Sequence, residues 1–251
     1  MFKNKFKKSY DTLIKDKLYD DGATYFDLAQ DRVNLILKTI RENNINKILD
    51  IGFYPGLIGR IIKDEFPHII VYETGKLNGE NNTINFPWYD KIDESEFDQF
   101  YGQLLIPSYD EKFDLIIAAE IIEHLISPVE MLKFANKNLV NGGLFIVTTP
   151  NVSSFGAIAR LIMGKSNYES LNNSVIFYKS DWRAHVRLYD KKELIELGKR
   201  FSFLFFSHRY YLSSMTLHEK RKNINWIIRL IASLIPMYRE DQIIIYTNKI
   251  E

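Results

Sequence analysis

Residues 46–65, NKILDIGFYPGLIGRIIKDE, carry the most informative pattern in the sequence. Apolar residues at 48, 49 and 51 predict a short buried strand, and those at 57, 58, 61 and 62 recur with the spacing of a helix. Between them lies a turn with glycines at 52, 56 and 59. The stretch therefore predicts a strand, a glycine turn and a helix in direct succession.

This turn suits a nucleoside ligand. Glycine lets a ligand approach the backbone without a Cβ in the way, and backbone N–H groups are free at the start of a helix. Asp50, at the end of the strand, can accept hydrogen bonds from the turn or from an amino group of the ligand. A second buried run, residues 68–72, ends at Glu73, and an acid about 20 residues beyond such a turn can accept both ribose hydroxyls. Glycine spacing alone equally fits a tight turn without a ligand, so the pattern is specific only when the turn and the acid are taken together.

The strand, turn and helix resemble motif I of the class I S-adenosylmethionine-dependent methyltransferases, and later stretches resemble the same family in order. Residues 113–132, FDLIIAAEIIEHLISPVEML, are similar to its fourth strand and following helix. Residues 139–151, LVNGGLFIVTTPN, resemble its fifth strand, and residues 185–194, HVRLYDKKEL, resemble a segment of the small-molecule and saccharide branch. The resemblance covers residues 45–200.

The resemblance implies a Rossmann-like α/β fold, with a seven-stranded, mainly parallel sheet, one antiparallel strand and helices on both faces. Buried runs alternate with helical segments through residue 200, and two late strands, at 201–211 and 243–246, can pair as a hairpin. We expect a single methyltransferase domain over residues 1–251. It would have an N-terminal helical lid region at 1–43 and a substrate-pocket insertion at 152–184.

The same resemblance implies S-adenosyl-L-methionine as the cofactor, with its ribose on Glu73 and its methionine part near Asp50 and Glu120. Glu120 emerges at the carboxyl end of the apolar run 113–119, where open α/β sheets bind ligands. The family often has glycine at the position of Tyr54. This side chain either packs beside the cofactor or impairs its binding.

For the adenine amino group, the family uses an acid after the third strand. Asp98 is the expected residue, and Asp93 and Glu94 are alternatives. The expected cofactor-binding set is Asp50, Gly52, Tyr54, Gly56, Glu73, Asp98 and Glu120.

The acceptor side of the site is predicted from residues near the carboxyl ends of the later strands. Asn151 ends the fifth strand and can face the cleft. If the segment from 185 is extended, alternation places His185, Arg187 and Tyr189 on one side. We expect His185 to be the general base, Arg187 to bind an anionic part of the substrate and Tyr189 to orient either of them. His124 is the rival base, and each histidine equally fits a structural hydrogen bond.

Composition limits the partners. Lys and Arg number 33 against 32 Asp and Glu, a net charge of +1, so no overall basic field favours nucleic acid. The chain has no cysteine and hence no disulfide or thiolate metal site, and no signal-peptide pattern follows the basic start, so we expect a cytoplasmic location. The apolar stretch 223–237 is too short for the roughly 20 residues that cross a bilayer. It predicts a helix against the sheet, with peripheral membrane association as the alternative.

The sequence therefore predicts methyl transfer to an oxygen of a small molecule, and we expect no metal. The favoured acceptor is a saccharide or a nucleotide-linked or phosphorylated sugar precursor of a cell-surface glycan, because aromatic and basic residues populate the insertion. A lipid or quinone-like acceptor is the alternative. A nicotinamide-dependent oxidoreductase fits less well, because the Tyr72 and Lys76 pair lies beside the ribose acid rather than beyond the fourth strand. A catalytically silent binding subunit is the third hypothesis, motivated by Tyr54.

Overall fold

A seven-stranded sheet forms the centre of the computed structural model, which describes residues 22–52, 56–75, 88–94, 96–98, 103–106, 108–168, 185–212, 230 and 234–248. The strands in chain order are β1 Lys47–Ile51, β2 Ile70–Gly75, β3 Lys91–Glu94, β4 Glu96–Asp98, β5 Gln103–Leu105, β6 Phe113–Ala119, β7 Leu139–Pro150, β8 Phe203–Tyr211 and β9 Asp241–Asn248. The sheet order is β3-β2-β1-β6-β7-β9-β8, and β4 pairs with β5 outside this sheet. Neighbours from β3 to β7 are parallel, whereas β9 is antiparallel to both β7 and β8. The predicted single antiparallel strand and the pairing of the two late strands are confirmed.

Helices cover both faces of the sheet, as expected. They are α1 Gly22–Glu42, α2 Leu57–Glu65, α3 Val129–Asn138, α4 Phe155–Ile162 and α5 Lys191–Arg200. Buried residues of α1 and α2 share one core cluster with one face of the strands, and those of α3 and α5 share a second cluster with the opposite face. Central strands buried on both faces read as continuous apolar runs, which explains why the sequence locates β1, β6 and β7 well.

The predicted strand, turn and helix are observed as β1 and α2. Gly52 has φ +77°, and a Cβ there would overlap the side chain of Ile121. Gly59 has a different role, because its missing side chain makes room for the ring of Tyr89. The turn thus needs glycine for both backbone conformation and packing. Tyr54 lies outside the described residues.

The third strand differs from the expectation. Asp98 lies on β4, in the small separate pair, whereas the third strand of the main sheet is β3, KIDE, which ends at Glu94. The alternative acid Asp93 lies on β3 opposite Thr74 of β2. The cause is that β3 is a short edge strand with charged residues, so it produces no apolar run that a sequence pattern can detect.

The N-terminal region contains α1, which spans Gly22–Glu42. Val33, Ile36, Leu37 and Ile40 are buried against the sheet. The basic start of the chain lies outside the described residues, and the lid role of this region stays a prediction. Among the described residues, no helix combines the length and apolar character needed to cross a bilayer.

Candidate active site

Three acids stand at the carboxyl ends of neighbouring parallel strands. Asp50 of β1 is paired in register with Glu73 of β2, and β1 also pairs with β6, after which Glu120 follows directly. Carboxyl ends of parallel strands meet at one edge of a sheet, which is where open α/β sheets bind ligands. The sheet thus brings together the three acids predicted for the cofactor.

Glu73 is a buried acid. Its side chain is 0% exposed, and within the part of the chain that the structure describes neither of its carboxylate oxygens has a hydrogen-bond donor. Burial, together with the nearby charges of Asp50 and Asp93, raises the pKa of Glu73 to about 11. A buried acceptor of this kind gains from any ligand that supplies hydroxyl donors.

Asp50 is also buried, but it has a donor. The hydroxyl of Tyr89 donates to its Oδ2 at 3.3 Å. Burial raises the pKa of Asp50 to about 7, although the Tyr89 hydrogen bond and the charge of Arg32 act in the opposite direction. Asp50 therefore changes its charge close to neutral pH.

Glu120 combines an uncommon backbone conformation with a hydrogen bond and an ion pair of its side chain. Its φ is +57°, which is uncommon for a residue with a side chain and marks a constrained position. Its Oε1 accepts from the hydroxyl of Thr148 at 2.7 Å and lies 3.2 Å from Nη1 of Arg32. Arg32 comes from α1, so this ion pair ties the N-terminal helix to the edge of the sheet.

The glycine turn is closed by two hydrogen bonds. The N–H of Gly52 donates to the carbonyl oxygen of Thr74 at 2.7 Å. The indole N–H of Trp88 donates to the carbonyl oxygen of Gly56 at 3.1 Å, and the guanidinium of Arg60 lies 5.1 Å from the indole ring centre. The hydrogen bond from Trp88 thus restrains Gly56, the residue that precedes α2.

A second cluster follows β6 on a short 3-10 turn, Ile122–His124. Glu123 is fully buried, and its Oε2 accepts from the hydroxyl of Thr149 at 3.0 Å. Burial and the neighbouring charge of Glu120 raise the pKa of Glu123 well above its ordinary value. The rings of His124 and His185 lie 5.0 Å apart between centroids. The structure therefore brings both predicted candidates for the general base into one place.

The other residues predicted for the acceptor, Asn151, Arg187 and Tyr189, make contacts with neighbouring residues of the chain. The amide of Asn151 donates to the carbonyl oxygens of Met237 and Arg239, at 2.9 and 2.8 Å, so Asn151 anchors this segment. Tyr189 is buried, and its backbone forms an isolated parallel β-bridge with that of Asn151. Burial raises the pKa of Tyr189 to about 12. Arg187 is 58% exposed and pairs with Glu193 at 2.8 Å. Of the three, only Arg187 presents its polar group to solvent, and contact of any of them with a substrate stays a prediction.

Sequence comparison decides the family. Residues 22–205 match the family described as “Methyltransferase domain”, which is more than half of the chain. The chain belongs to the class I S-adenosylmethionine-dependent methyltransferases. A comparison of this methyltransferase with curated proteins finds no match.

Solved structures share the fold of this methyltransferase at low sequence identity. One is a Thermotoga maritima protein proposed as a histamine N-methyltransferase, with 16% identity, TM-score 0.55, and 99% of this chain and 100% of that chain covered. Another is a proposed sarcosine dimethylglycine methyltransferase of Galdieria sulphuraria, with 13% identity, TM-score 0.55, and 89% and 88% covered. The cyclopropane synthase MmaA2 of Mycobacterium tuberculosis has 13% identity, TM-score 0.53, and 91% and 87% covered. These neighbours show the fold alone, because each is less than 25% identical to this chain.

The methyltransferase uses S-adenosylmethionine, and the residues of the site fit this cofactor. The two unpaired oxygens of Glu73 are suited to a ribose diol, and the adjacent glycine turn gives close access to the backbone. Asp50, with its pKa close to 7, is suited to the amino group of the methionine part. Which residue contacts the adenine stays a prediction, with Asp93 on the third strand and Asp98 outside the main sheet.

Sequence reasoning did not select several residues that shape the site. Arg32, Trp88 and Tyr89 reach Glu120, Gly56 and Asp50 from other segments of the chain. No local pattern marks these residues, because their contacts join positions far apart in sequence. Glu123 had a local signal, since a carboxylate and an imidazole stand side by side in the sequence IEH directly after a buried strand.

Proposed function

We propose that this methyltransferase transfers the methyl group of S-adenosylmethionine to an oxygen of a small molecule, and that a histidine of the site accepts the proton. The observation that carries the proposal is the His124 and His185 pair, with ring centroids 5.0 Å apart, close to the carboxyl edge of the sheet. A hydroxyl acceptor must lose a proton during the reaction, and an imidazole at this edge is placed to accept it.

The chemistry divides between cofactor and protein. The cofactor supplies a methyl group already activated as a sulfonium. The protein aligns the acceptor and removes its proton, for which an imidazole is suited because it titrates near neutral pH. We expect His185 to be the general base, and His124 is the alternative candidate for this role. Both rings are partly accessible to solvent, so either can meet an acceptor.

The acceptor we favour is a saccharide or a nucleotide-linked or phosphorylated sugar precursor of a cell-surface glycan. Arg187 supports this choice, because a substrate phosphate can compete with Glu193 for its exposed guanidinium. Tyr168, exposed shortly after α4, is a stacking surface for a sugar ring. The other residues that motivate the choice, Tyr178, Trp182 and Arg183, lie outside the described residues.

Replacing each histidine by alanine tests the assignment. His185→Ala should lower turnover at least about a hundredfold, within the usual range for loss of a general base, with cofactor affinity unchanged. His68→Ala is a matched control, because this exposed histidine lies at the opposite edge of the sheet, just before β2. If His124→Ala alone causes the loss, His185 is not the base.

An apolar acceptor, a lipid or a quinone-like molecule, is the second candidate. Exposed apolar side chains lie on α4 and beyond it, with Leu161 56% and Ile162 82% exposed. The neighbouring segment 234–237 exposes further apolar residues, and Phe155 and Tyr238 join the two segments with ring centroids 6.5 Å apart. This surface suits an apolar substrate better than a free sugar.

A panel with labelled cofactor separates these acceptors. It should contain phosphorylated and nucleotide-linked sugars, dispersed phenolic lipids and small amines. Label transferred to sugar oxygen supports the favoured acceptor, and transfer to the phenolic lipids supports the second. If label is transferred to amines and to no other acceptor, the assignment to oxygen is wrong. Cofactor binding without transfer to any acceptor would favour a catalytically silent subunit.

A further inference from the structure

Three side chains close to Glu120 have the types and the spacing of metal ligands. Glu123, His124 and His185 each offer one ligand atom, and these atoms lie within 4.8 Å of one another. The two segments that carry them are joined by the backbone, because the N–H groups of Val186 and Arg187 donate to the carbonyl oxygen of Glu123 at 2.7 and 3.2 Å. The spacing of the three side chains is thus set by the fold and not by flexible side chains alone.

We propose that Glu123, His124 and His185 bind one divalent transition-metal cation. The second observation that points to a cation is the carboxylate of Glu123. Its Oε2 accepts from Thr149, whereas Oε1 is buried, has no hydrogen-bond partner among the described residues and lies 4.0 Å from Nε2 of His124. A buried carboxylate oxygen without a donor is costly, and a cation between it and the imidazoles removes that cost.

The donor set selects the kind of ion. Imidazole nitrogen suits zinc, iron, nickel and copper, and a carboxylate oxygen completes a set of two histidines and one acid. Ligands bound at about 2.1 Å from one ion lie at most about 4.2 Å apart, so the group needs only a small contraction to close around it. Three protein ligands leave coordination positions open for another ligand.

An open position gives the cation a role in the reaction; this part of the inference rests on the proposed methyl transfer to oxygen, and with a cation bound it replaces the histidine base of that proposal. The oxygen of a hydroxyl acceptor would bind at the open position, where the cation lowers the pKa of the hydroxyl. The O–H proton then passes to solvent, the sulfur–methyl bond breaks, and the oxygen–methyl bond forms. The products are the methylated acceptor, the demethylated cofactor and one proton. Both histidines would then act as ligands and not as free bases.

Metal titration tests the site independently of the acceptor. The full chain, treated with a chelator and dialysed, is titrated with Co²⁺ and followed by calorimetry and by visible absorption. We expect one Co²⁺ per chain with micromolar affinity, and at least tenfold weaker binding in each of His124→Ala, His185→Ala and Glu123→Gln. His68→Ala should bind Co²⁺ like the unmodified chain. Thermal melting checks that every variant is folded.

The outcomes separate the two proposals. An unmodified chain that binds no Co²⁺, or His124→Ala and His185→Ala variants that are folded and bind it unchanged, would overturn the metal site. Co²⁺ binding that depends on the three side chains upholds the site even if no oxygen acceptor is methylated, in which case only the proposed function fails. Methylation at full rate in excess chelator would leave the histidines as bases and overturn the catalytic role of the cation.

Discussion

Replacing Glu73 by glutamine should stabilise the free protein while impairing cofactor binding. Glu73 is fully buried and unpaired, and its pKa is raised to about 11. At pH 7 the unfolded chain ionises this group, whereas the folded chain keeps it protonated. Between the ordinary value of 4.5 and pH 7, this proton uptake costs about 3 kcal/mol of folding free energy. Glutamine is neutral and of the same size, so Glu73→Gln removes the cost.

The dependence on pH follows from the sign of the shift. A raised pKa in the folded state means that the full stability of the native chain is present below pH 4.5 and is lost as the pH rises towards 11. Glu73→Gln should therefore match the native chain near pH 4.5 and exceed it by about 1 to 3 kcal/mol at pH 7. For a chain of this size, this corresponds to a rise in Tm of about 3 to 10 °C.

Two measurements check this prediction. Thermal and urea unfolding from pH 4.5 to pH 8 give the stability difference, with Glu130→Gln as a control, because Glu130 is exposed and forms an ion pair with nearby Lys133 on the surface of the same helix. The control should change stability by less than about 0.5 kcal/mol. Calorimetry with S-adenosylmethionine should show binding weakened about tenfold or more in Glu73→Gln and in Glu73→Ala. A Glu73→Gln variant no more stable than the native chain at pH 7, or equally stabilised at pH 4.5, would refute the argument.

Three further predictions concern cofactor binding, packing around α2 and the start of α5. Binding of S-adenosylmethionine at pH 7 should release a proton, because hydroxyl donors favour the ionised form of Glu73. Calorimetry in buffers of different ionisation enthalpy measures the proton release. A binding enthalpy that does not depend on the buffer would contradict the prediction. Gly59→Ala should destabilise the fold by about 1 to 3 kcal/mol in urea unfolding, because its Cβ overlaps the Tyr89 ring, whereas Gly156→Ala, with open space around it, should not. Asp190→Ala should cost about 1 kcal/mol in the same assay by removing the capping box of α5, and an unchanged midpoint would argue against that cap.

The sequence and the resemblance it carries predict much of the fold because buried parallel strands and amphipathic helices leave local patterns. β1 and β6 agree with the predicted segments to within one residue. The edge strand β3 leaves no such pattern, since three of its four residues are charged, and the sequence therefore points to Asp98 instead of an acid on β3. Local periodicity reports burial, and an edge strand is buried too little to show it.

The site divides in the same way between sequence and structure. The sequence alone determined that Asp50, Glu73 and Glu120 stand at strand ends, because each follows or closes an apolar run. The tertiary structure was needed to show that Glu73 is buried with no donor among the described residues, that Arg32 pairs with Glu120, and that the ring of His185 lies beside Glu123 and His124. The physical reason is that these relations depend on how distant segments pack, and a linear pattern records which residues are buried but not which side chains they meet.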